Sequence, residues 1–255
     1  MLARIEKGRK LKPPRILVYG TEGVGKTTFA SQAKNPIFIQ TEDGLGNIEV
    51  DRFPLAKTWE DVQRDLSELK TQEHNYNTVV IDSLDWLERL VWDKLCRDWK
   101  VGSIEKVDGG YGKGYVHAVT IWRQLIEDLN FLRDQRRMSI VLIAHSKVEK
   151  FEDPESVISY DRYSPRLHKL VGSLVTEWCD AVLFATRRFR VSREDAGFGR
   201  QRAVAQPVGA EGGDRILRCI GSPFCVAKNR FSLPEELPLS WPTLISQIVN
   251  KENQQ

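Results

Sequence analysis

Several things are scarce in this sequence, and each scarcity narrows the reading. No apolar run approaches the roughly 20 residues that cross a bilayer, so a membrane-spanning chain is not expected. The first residues, Met1-Leu2-Ala3-Arg4-Ile5-Glu6-Lys7, hold no apolar core of a secretory signal. The four cysteines, Cys96, Cys179, Cys219 and Cys225, form no C-x-x-C pair. They read as reduced and partly buried, as in a cytosolic protein. No large excess of either charge exists: 38 Lys and Arg stand against 35 Asp and Glu, a net of +3. A polycation is excluded, so any contact with nucleic acid must come from local patches. No internal repeat is evident. These points together describe a soluble, cytoplasmic protein without a membrane partner.

With 255 residues, 41% of them hydrophobic, the chain can form one large α/β domain, or one domain with an appendage. Its organising stretch is Gly20-Thr21-Glu22-Gly23-Val24-Gly25-Lys26-Thr27-Thr28. The spacing is that of a phosphate-binding loop, G-x-x-x-x-G-K-[ST]. The apolar run Arg15 to Tyr19 before it reads as a buried strand, and residues 28–33 can open a helix. Glycines let the backbone curl so that N–H groups point at phosphate oxygens. A helix start adds further unpaired N–H groups. Lys26 is expected on the β- and γ-phosphates and the Thr27 hydroxyl on Mg²⁺.

The rest of the chain supplies strands that end in polar residues. Residues 1–14 form a basic arm closed by Pro13-Pro14. Ile37 to Thr41 reads as a strand ending on Glu42-Asp43-Gly44, which makes Glu42 a candidate for activating a water. A solvated turn acid would look the same in sequence. Thr58 with Asp61 fits a capping box ahead of a helix carrying Val62, Leu66 and Leu69. Thr78-Val79-Val80-Ile81-Asp82 is an apolar strand ending in an acid, and Asp82 is expected beside Thr27 at the magnesium. Leu84 to Trp99 reads as a helix. Residues 101–116 read as a mobile glycine-rich loop whose Lys106, Tyr111, Lys113 and Tyr115 suit phosphates and bases; an ordinary surface loop has the same composition.

A helix is expected over residues 117–137, then a strand from Ser139 to Ala144 that ends at His145, a candidate γ-phosphate sensor. Residues 146–166 read as a second loop with Lys147, Lys150, Tyr160, Arg162, Tyr163 and Arg166 as candidate DNA contacts. A helix from Leu167 to Glu177 and a strand from Ala181 to Ala185 follow. Residues 187–213 read as an excursion, a hairpin with a disordered tip. Strands are expected at residues 215–220 and 224–227, the latter leading into Lys228-Asn229-Arg230. Prolines at 234, 238 and 242 precede a short helix from Thr243 to Val249. The expected organisation is an arm (1–14), a core (15–235) and a C-terminal tail (236–255).

The order phosphate loop, strand–Glu, strand–Asp, glycine-rich loop, strand–His, Lys-x-Arg resembles the RecA-like ATPases. That resemblance implies an α/β P-loop NTPase fold with a mostly parallel central sheet, flanking helices and C-terminal antiparallel strands. It implies ATP and Mg²⁺ as cofactors, and Glu42 as the activator of the hydrolytic water. His145 would couple the γ-phosphate to the second DNA loop. Lys228 and Arg230 resemble the finger pair that a neighbouring subunit supplies in trans. Lys12-Pro13-Pro14-Arg15, the stretch Tyr160 to Pro165, and Trp178-x-Asp180 are similar to a phage group of short RecA-like proteins, which includes the fourth Sak group of single-strand annealing proteins. The partners so implied are single-stranded DNA, further copies of the chain and a single-strand DNA-binding protein. The full RecA N-terminal oligomerisation helix and C-terminal domain have no counterpart. A GTPase reading finds only Ser146-Lys147-Val148-Glu149, without the Asn and Asp of N-K-x-D. A replication motor or helicase loader would share the ATPase motifs without annealing.

Overall fold

A computed structural model describes residues 12–152, 159–195, 201–210 and 212–253. In chain order the strands and helices are β1 (Arg15–Gly20), α1 (Lys26–Ser31), β2 (Pro36–Gln40), β3 (Asp51–Arg52), α2 (Trp59–Thr71), β4 (Thr78–Asp82), α3 (Leu84–Trp99) and α4 (Lys113–Gln135). They continue with β5 (Ser139–Phe151), β6 (Tyr160–Pro165), α5 (Lys169–Trp178), β7 (Ala181–Arg187), β8 (Phe189–Asp195), β9 (Gln201–Pro207), β10 (Arg215–Arg218), β11 (Lys228–Asn229), β12 (Glu236–Pro238) and α6 (Trp241–Asn253).

One sheet runs β12-β10-β7-β1-β5-β4-β2-β3. The pairings from β7 through β1, β5, β4 and β2 to β3 are all parallel. At the other end, β10 and β11 lie antiparallel on successive stretches of the same edge of β7, and β12 is antiparallel to β10. The central strands are buried on both faces, which is why they read as continuous apolar runs rather than alternating ones. Side chains alternate across β1: Leu17 and Tyr19 pack with α2 to α5, while Ile16 and Val18 pack with α1 and α6.

Local signals set the helix starts. Thr58 caps α2, its hydroxyl accepting from the Asp61 N–H while Asp61 accepts from the Thr58 N–H. In α6, Pro242 follows the first residue, where its missing N–H costs no helical bond. That explains one correction. The chain after residue 235 is not a tail with a short helix: β12 extends the sheet, and α6 buries Trp241, Leu244 and Ile248 at helical spacing against Phe29 and its neighbours.

The two stretches read as mobile loops are also regular. In residues 101–116, Ile104 and Val107 are buried and anchor a short 3-10 helix, after which α4 begins at Lys113, four residues earlier than expected. The glycines there serve turns of positive φ, at Gly109, Gly110 and Gly112. In residues 146–166, β5 runs on past His145 and pairs antiparallel with β6, Ser146 opposite Pro165 and Phe151 opposite Tyr160. Residues 153–158 of that stretch lie outside the described residues. So do residues 1–11 of the basic arm, and residues 196–200 at the tip of the hairpin that β8 and β9 form.

No helix among the described residues is long and apolar enough to cross a membrane. The four cysteines are free, with Cys179, Cys219 and Cys225 buried.

Candidate functional site

The C-terminal ends of β1, β2 and β4 and the middle of β5, at His145, meet at a cavity of ≈ 400 Å³ lined by Gly23, Gly25, Lys26, Thr27, Thr28, Glu42, Asp82 and His145, among others. Adjacent strands of a parallel sheet carry their ends to one edge, so residues far apart in sequence converge. In register, Gly20 stands beside His145, and Ile143 beside Asp82. Thus β5 lies between the loop strand and the strand that ends in Asp82.

The loop is held by two backbone constraints. Gly25, at the start of α1, has φ of 104°, a left-handed conformation that favours glycine. Gly20 touches β7 so closely that a Cβ would fall 2.1 Å from the Ala185 carbonyl oxygen. Lys26 is buried, and its Nζ donates to the carbonyls of Gly20 (3.0 Å) and Thr21 (2.9 Å). Burial lowers its pKa, opposed by the carboxylates of Asp82, Asp85 and Glu42. An ammonium held only by neutral carbonyls would gain a stronger, charge-assisted partner from a phosphate oxygen.

Thr27 Oγ1 donates to Asp82 Oδ2 at 2.7 Å, so the two oxygens expected at magnesium are adjacent. Burial raises the Asp82 pKa, the Thr27 hydroxyl acts against this, and Glu42 adds to it. A dication would relieve that penalty by stabilising the charged carboxylate. Among the described residues no group of three or more His, Cys, Asp or Glu could hold a metal alone. A magnesium ion here would therefore take the Thr27 and Asp82 oxygens together with phosphate oxygens and water. The residues fit that ion, whose chemistry would be to neutralise charge on the β- and γ-phosphates.

Glu42 accepts from the Ser83 hydroxyl at 3.0 Å, and the Asp82–Ser83 peptide is cis. Its Oε2 lies 3.8 Å from His145 Nδ1. His145 is buried, and its backbone N–H donates to Asp85 Oδ1 at 3.0 Å. Its Nδ1 lies 3.1 Å from both oxygens of Asp85. A carboxylate only accepts, so Nδ1 carries the proton and Nε2 is left for another partner. Arg166, at the foot of β6, closes the group: it donates to Asp85 from Nη2 (2.7 Å) and Nε (3.2 Å), and its Nη1 lies 3.5 Å from Glu22 of the loop. Burial pushes the Asp85 carboxyl upward, but hydrogen bonds from His145 and Arg166 outweigh it and hold the pKa well below the usual range. One helical turn on, buried Glu88 accepts the His168 N–H through both oxygens, at 3.0 Å each. Helix α3 thus holds His145 and Arg166 through Asp85, and the N-cap of α5 through Glu88.

Sequence reasoning missed Asp85, Glu88 and Arg215. Asp85 and Glu88 sit three apart near the start of α3, where acids also suit the helix dipole, so nothing marked them out. Arg215 of β10 lines the nucleotide cavity, its Nη1 2.9 Å from where a Cβ on Gly25 would lie. No sequence signal could place it there, because it is β10's antiparallel register on β7 that brings it over the loop.

The other expected residues lie elsewhere. Lys147 Nζ donates to the Leu167 carbonyl at 2.7 Å. Arg162 lies 3.9 Å over the Phe151 ring and donates to Glu149. Tyr160 packs against Phe151, Tyr163 stacks on Phe184, and Lys150 is exposed, so these residues share the β5–β6 hairpin. The backbone carbonyls of Tyr163 and Val226 accept from the buried Tyr19 hydroxyl, which fastens the hairpin to β1. On the earlier stretch Lys106 and Lys113 are exposed, as is Tyr111 at 99%. Tyr115 stacks on His168, ring centroids 4.0 Å apart. The β5–β6 hairpin meets the nucleotide cavity at His145, from which β5 runs on into the hairpin; Arg166 and the residues around Tyr111 do not line the cavity.

Lys228 and Arg230 are not part of this cavity. Lys228 pairs with Val182 and the Arg230 N–H donates to the Asp180 carbonyl, whereas Gly20 pairs with Ala185. At about 3.3 Å per residue they lie roughly 10 and 16 Å along the strand from the loop. Lys228 Nζ caps α5 at the carbonyls of Thr176 (3.0 Å) and Glu177 (2.6 Å), and Arg230 lies 3.4 Å from Asp180.

The chain resembles the SPbeta prophage-derived uncharacterized protein YorG of Bacillus subtilis (strain 168), at 24% identity over 139 residues. That match covers 53% of this chain and only 42% of the relative's length. Among solved structures, the RadB recombinase is similar over 91% of this chain and 90% of its own, with 14% identity and a TM-score of 0.46. A family model described as AAA domain matches residues 12–231, and with a phosphate loop, a paired Thr27–Asp82 and Glu42 two residues past β2, the chain belongs to that family of P-loop ATPases.

Proposed function

We propose that the protein is a Mg²⁺-dependent, ATP-hydrolysing, RecA-like phage recombination protein that binds single-stranded DNA and promotes strand annealing or homologous recombination, working in the host cytoplasm. The observation that carries this reading is the continuous polar chain from the nucleotide cavity to the β5–β6 hairpin: Glu42 near His145, His145 on Asp85, and Asp85 on Arg166. A hairpin rich in basic and aromatic residues is joined through it to the place where a γ-phosphate would sit. Occupancy of either end would bear on the other, as expected of a DNA-stimulated ATPase. The likeness to the fourth Sak group rests on the motifs quoted above, and the prophage origin of one relative fits a phage role.

In this reading Lys26 holds the phosphates and Thr27 with Asp82 holds the ion. Glu42 accepts a proton from the attacking water, and the Ser83 hydroxyl orients its carboxylate. Arg230, with Lys228 tethered beside it, acts on the nucleotide of an adjacent copy, as the resemblance of Lys228-Asn229-Arg230 to the finger pair of RecA-like ATPases implies. A replication motor or helicase loader is the second reading, favoured by the same ATPase parts. ATP turnover with and without single-stranded DNA, alongside annealing of complementary oligonucleotides, separates them. Stimulation together with annealing is expected; turnover without annealing would favour the motor, and no effect of single strands would sink both hairpin-coupled readings.

A further inference from the structure

A second cavity, of ≈ 610 Å³, lies between the β5–β6 hairpin, one face of α5 and β11. Four cations line it, Lys147, Arg162, Lys169 and Lys228, against two carboxylates, Glu149 and Glu177. The balance is two positive charges. The cations come from four separate elements, β5, β6, α5 and β11, and do not converge on a glycine-rich loop as in the nucleotide cavity. Lys147 and Lys228 are held by backbone carbonyls on the cavity walls, and an ammonium has three donors, so each is fixed in place with capacity left.

The α5 wall is shaped for close approach. Lys169, Gly172, Ser173 and Thr176 fall at i, i+3, i+4 and i+7, on one face, and apart from the lysine they are small. Across from them Ser164 lines the cavity. It is 5% exposed, and its buried hydroxyl has no hydrogen-bond partner among the described residues. A buried hydroxyl without a partner is uncommon and calls for one. The volume falls within the range of about 300–1,000 Å³ usual for small ligands, enough for part of an extended strand and too small for a folded partner.

We infer that this cavity seats the phosphate backbone of a single strand of nucleic acid, with Lys169, Ser173 and Ser164 extending the contact beyond the hairpin. The inference rests on the single-strand reading proposed above and adds a surface to it. The cavity stands next to the coupled residues: Lys147 is two residues past His145, and Ser164 two before Arg166. A strand lying here would press on the segment that holds Arg166 against Asp85.

The test uses the full chain and a fluorescent oligothymidylate, followed by anisotropy across a salt series. Lys169 and Ser173 are exposed, so Lys169→Glu and Ser173→Glu should leave the fold and ATP binding intact. Each is expected to weaken oligonucleotide binding about tenfold or more. Lys169→Ala should reduce the slope of log affinity against log salt by about 0.7, the value for one lost phosphate contact on a single strand. Lys150→Glu, on the hairpin but outside the cavity, is the control. If it weakens binding while both cavity variants do not, the cavity inference fails alone. If none of the three weakens binding, the single-strand reading fails with it. Displacement of the oligonucleotide by thymidine monophosphate at equal nucleotide concentration would identify a free nucleotide as the ligand and overturn the strand assignment.

Discussion

Glu88 gives the sharpest quantitative prediction. Its side chain is buried on α3, and its partner is the backbone N–H of His168. Burial raises its pKa from the ordinary 4.5 to about 7, the His168 N–H and Lys147 acting against this and Asp85 with it. The folded state therefore keeps a proton that the unfolded chain releases between those two pH values. Unfolding is favoured as pH rises through that window, so the protein loses stability between pH 4.5 and about 7 on account of this group. At about 1.4 kcal/mol per pH unit, the penalty at pH 8 is on the order of 3 kcal/mol. Glu88→Gln removes the charge and keeps one acceptor oxygen for His168. Denaturant unfolding should show the variant more stable than the parent at pH 8 by up to about 3 kcal/mol, with the advantage gone near pH 4.5. An unchanged difference at both pH values would refute the titration argument. A variant less stable at every pH would mean that the second hydrogen bond to His168 outweighs the charge.

Two further predictions concern turnover. Glu42→Gln should bind ATP normally and hydrolyse it about 10²–10⁴-fold more slowly, the usual range for loss of a general base; near-normal single-turnover rates would mean that the base lies elsewhere. Arg230→Ala should also bind and turn over slowly, and mixing it with Lys26→Ala should restore some activity, because one mixed interface joins an intact loop to an intact finger. No rescue in a mixture shown to co-assemble would count against action in trans.

The sequence by itself determined the parts whose chemistry is local. Lys26 and Thr27 fall inside a contiguous motif, Asp82 closes an apolar run, and the Thr58–Asp61 cap is written within four residues. Each signal is short-range, because hydrogen-bond spacing or the strand period sets it. The regular structure of residues 101–116 was hidden because glycine count outweighed two apolar anchors, Ile104 and Val107, whose burial depends on α3 and α4. The β5–β6 hairpin was hidden because its strands are half exposed and carry charges, so they show no apolar run. The sequence puts Pro242 just ahead of a short helix, and it proves to be the second residue of a longer one once Trp241 has a core to enter. Only the tertiary structure decided that Asp85 holds His145 and Arg166, that Arg215 lies over the loop, and that Lys228 and Arg230 stand well along the strand from the phosphates. Those placements follow from strand order and register, which bring residues such as Gly25 and Arg215, 190 positions apart along the chain, within a few ångströms, and no spacing along the chain encodes them.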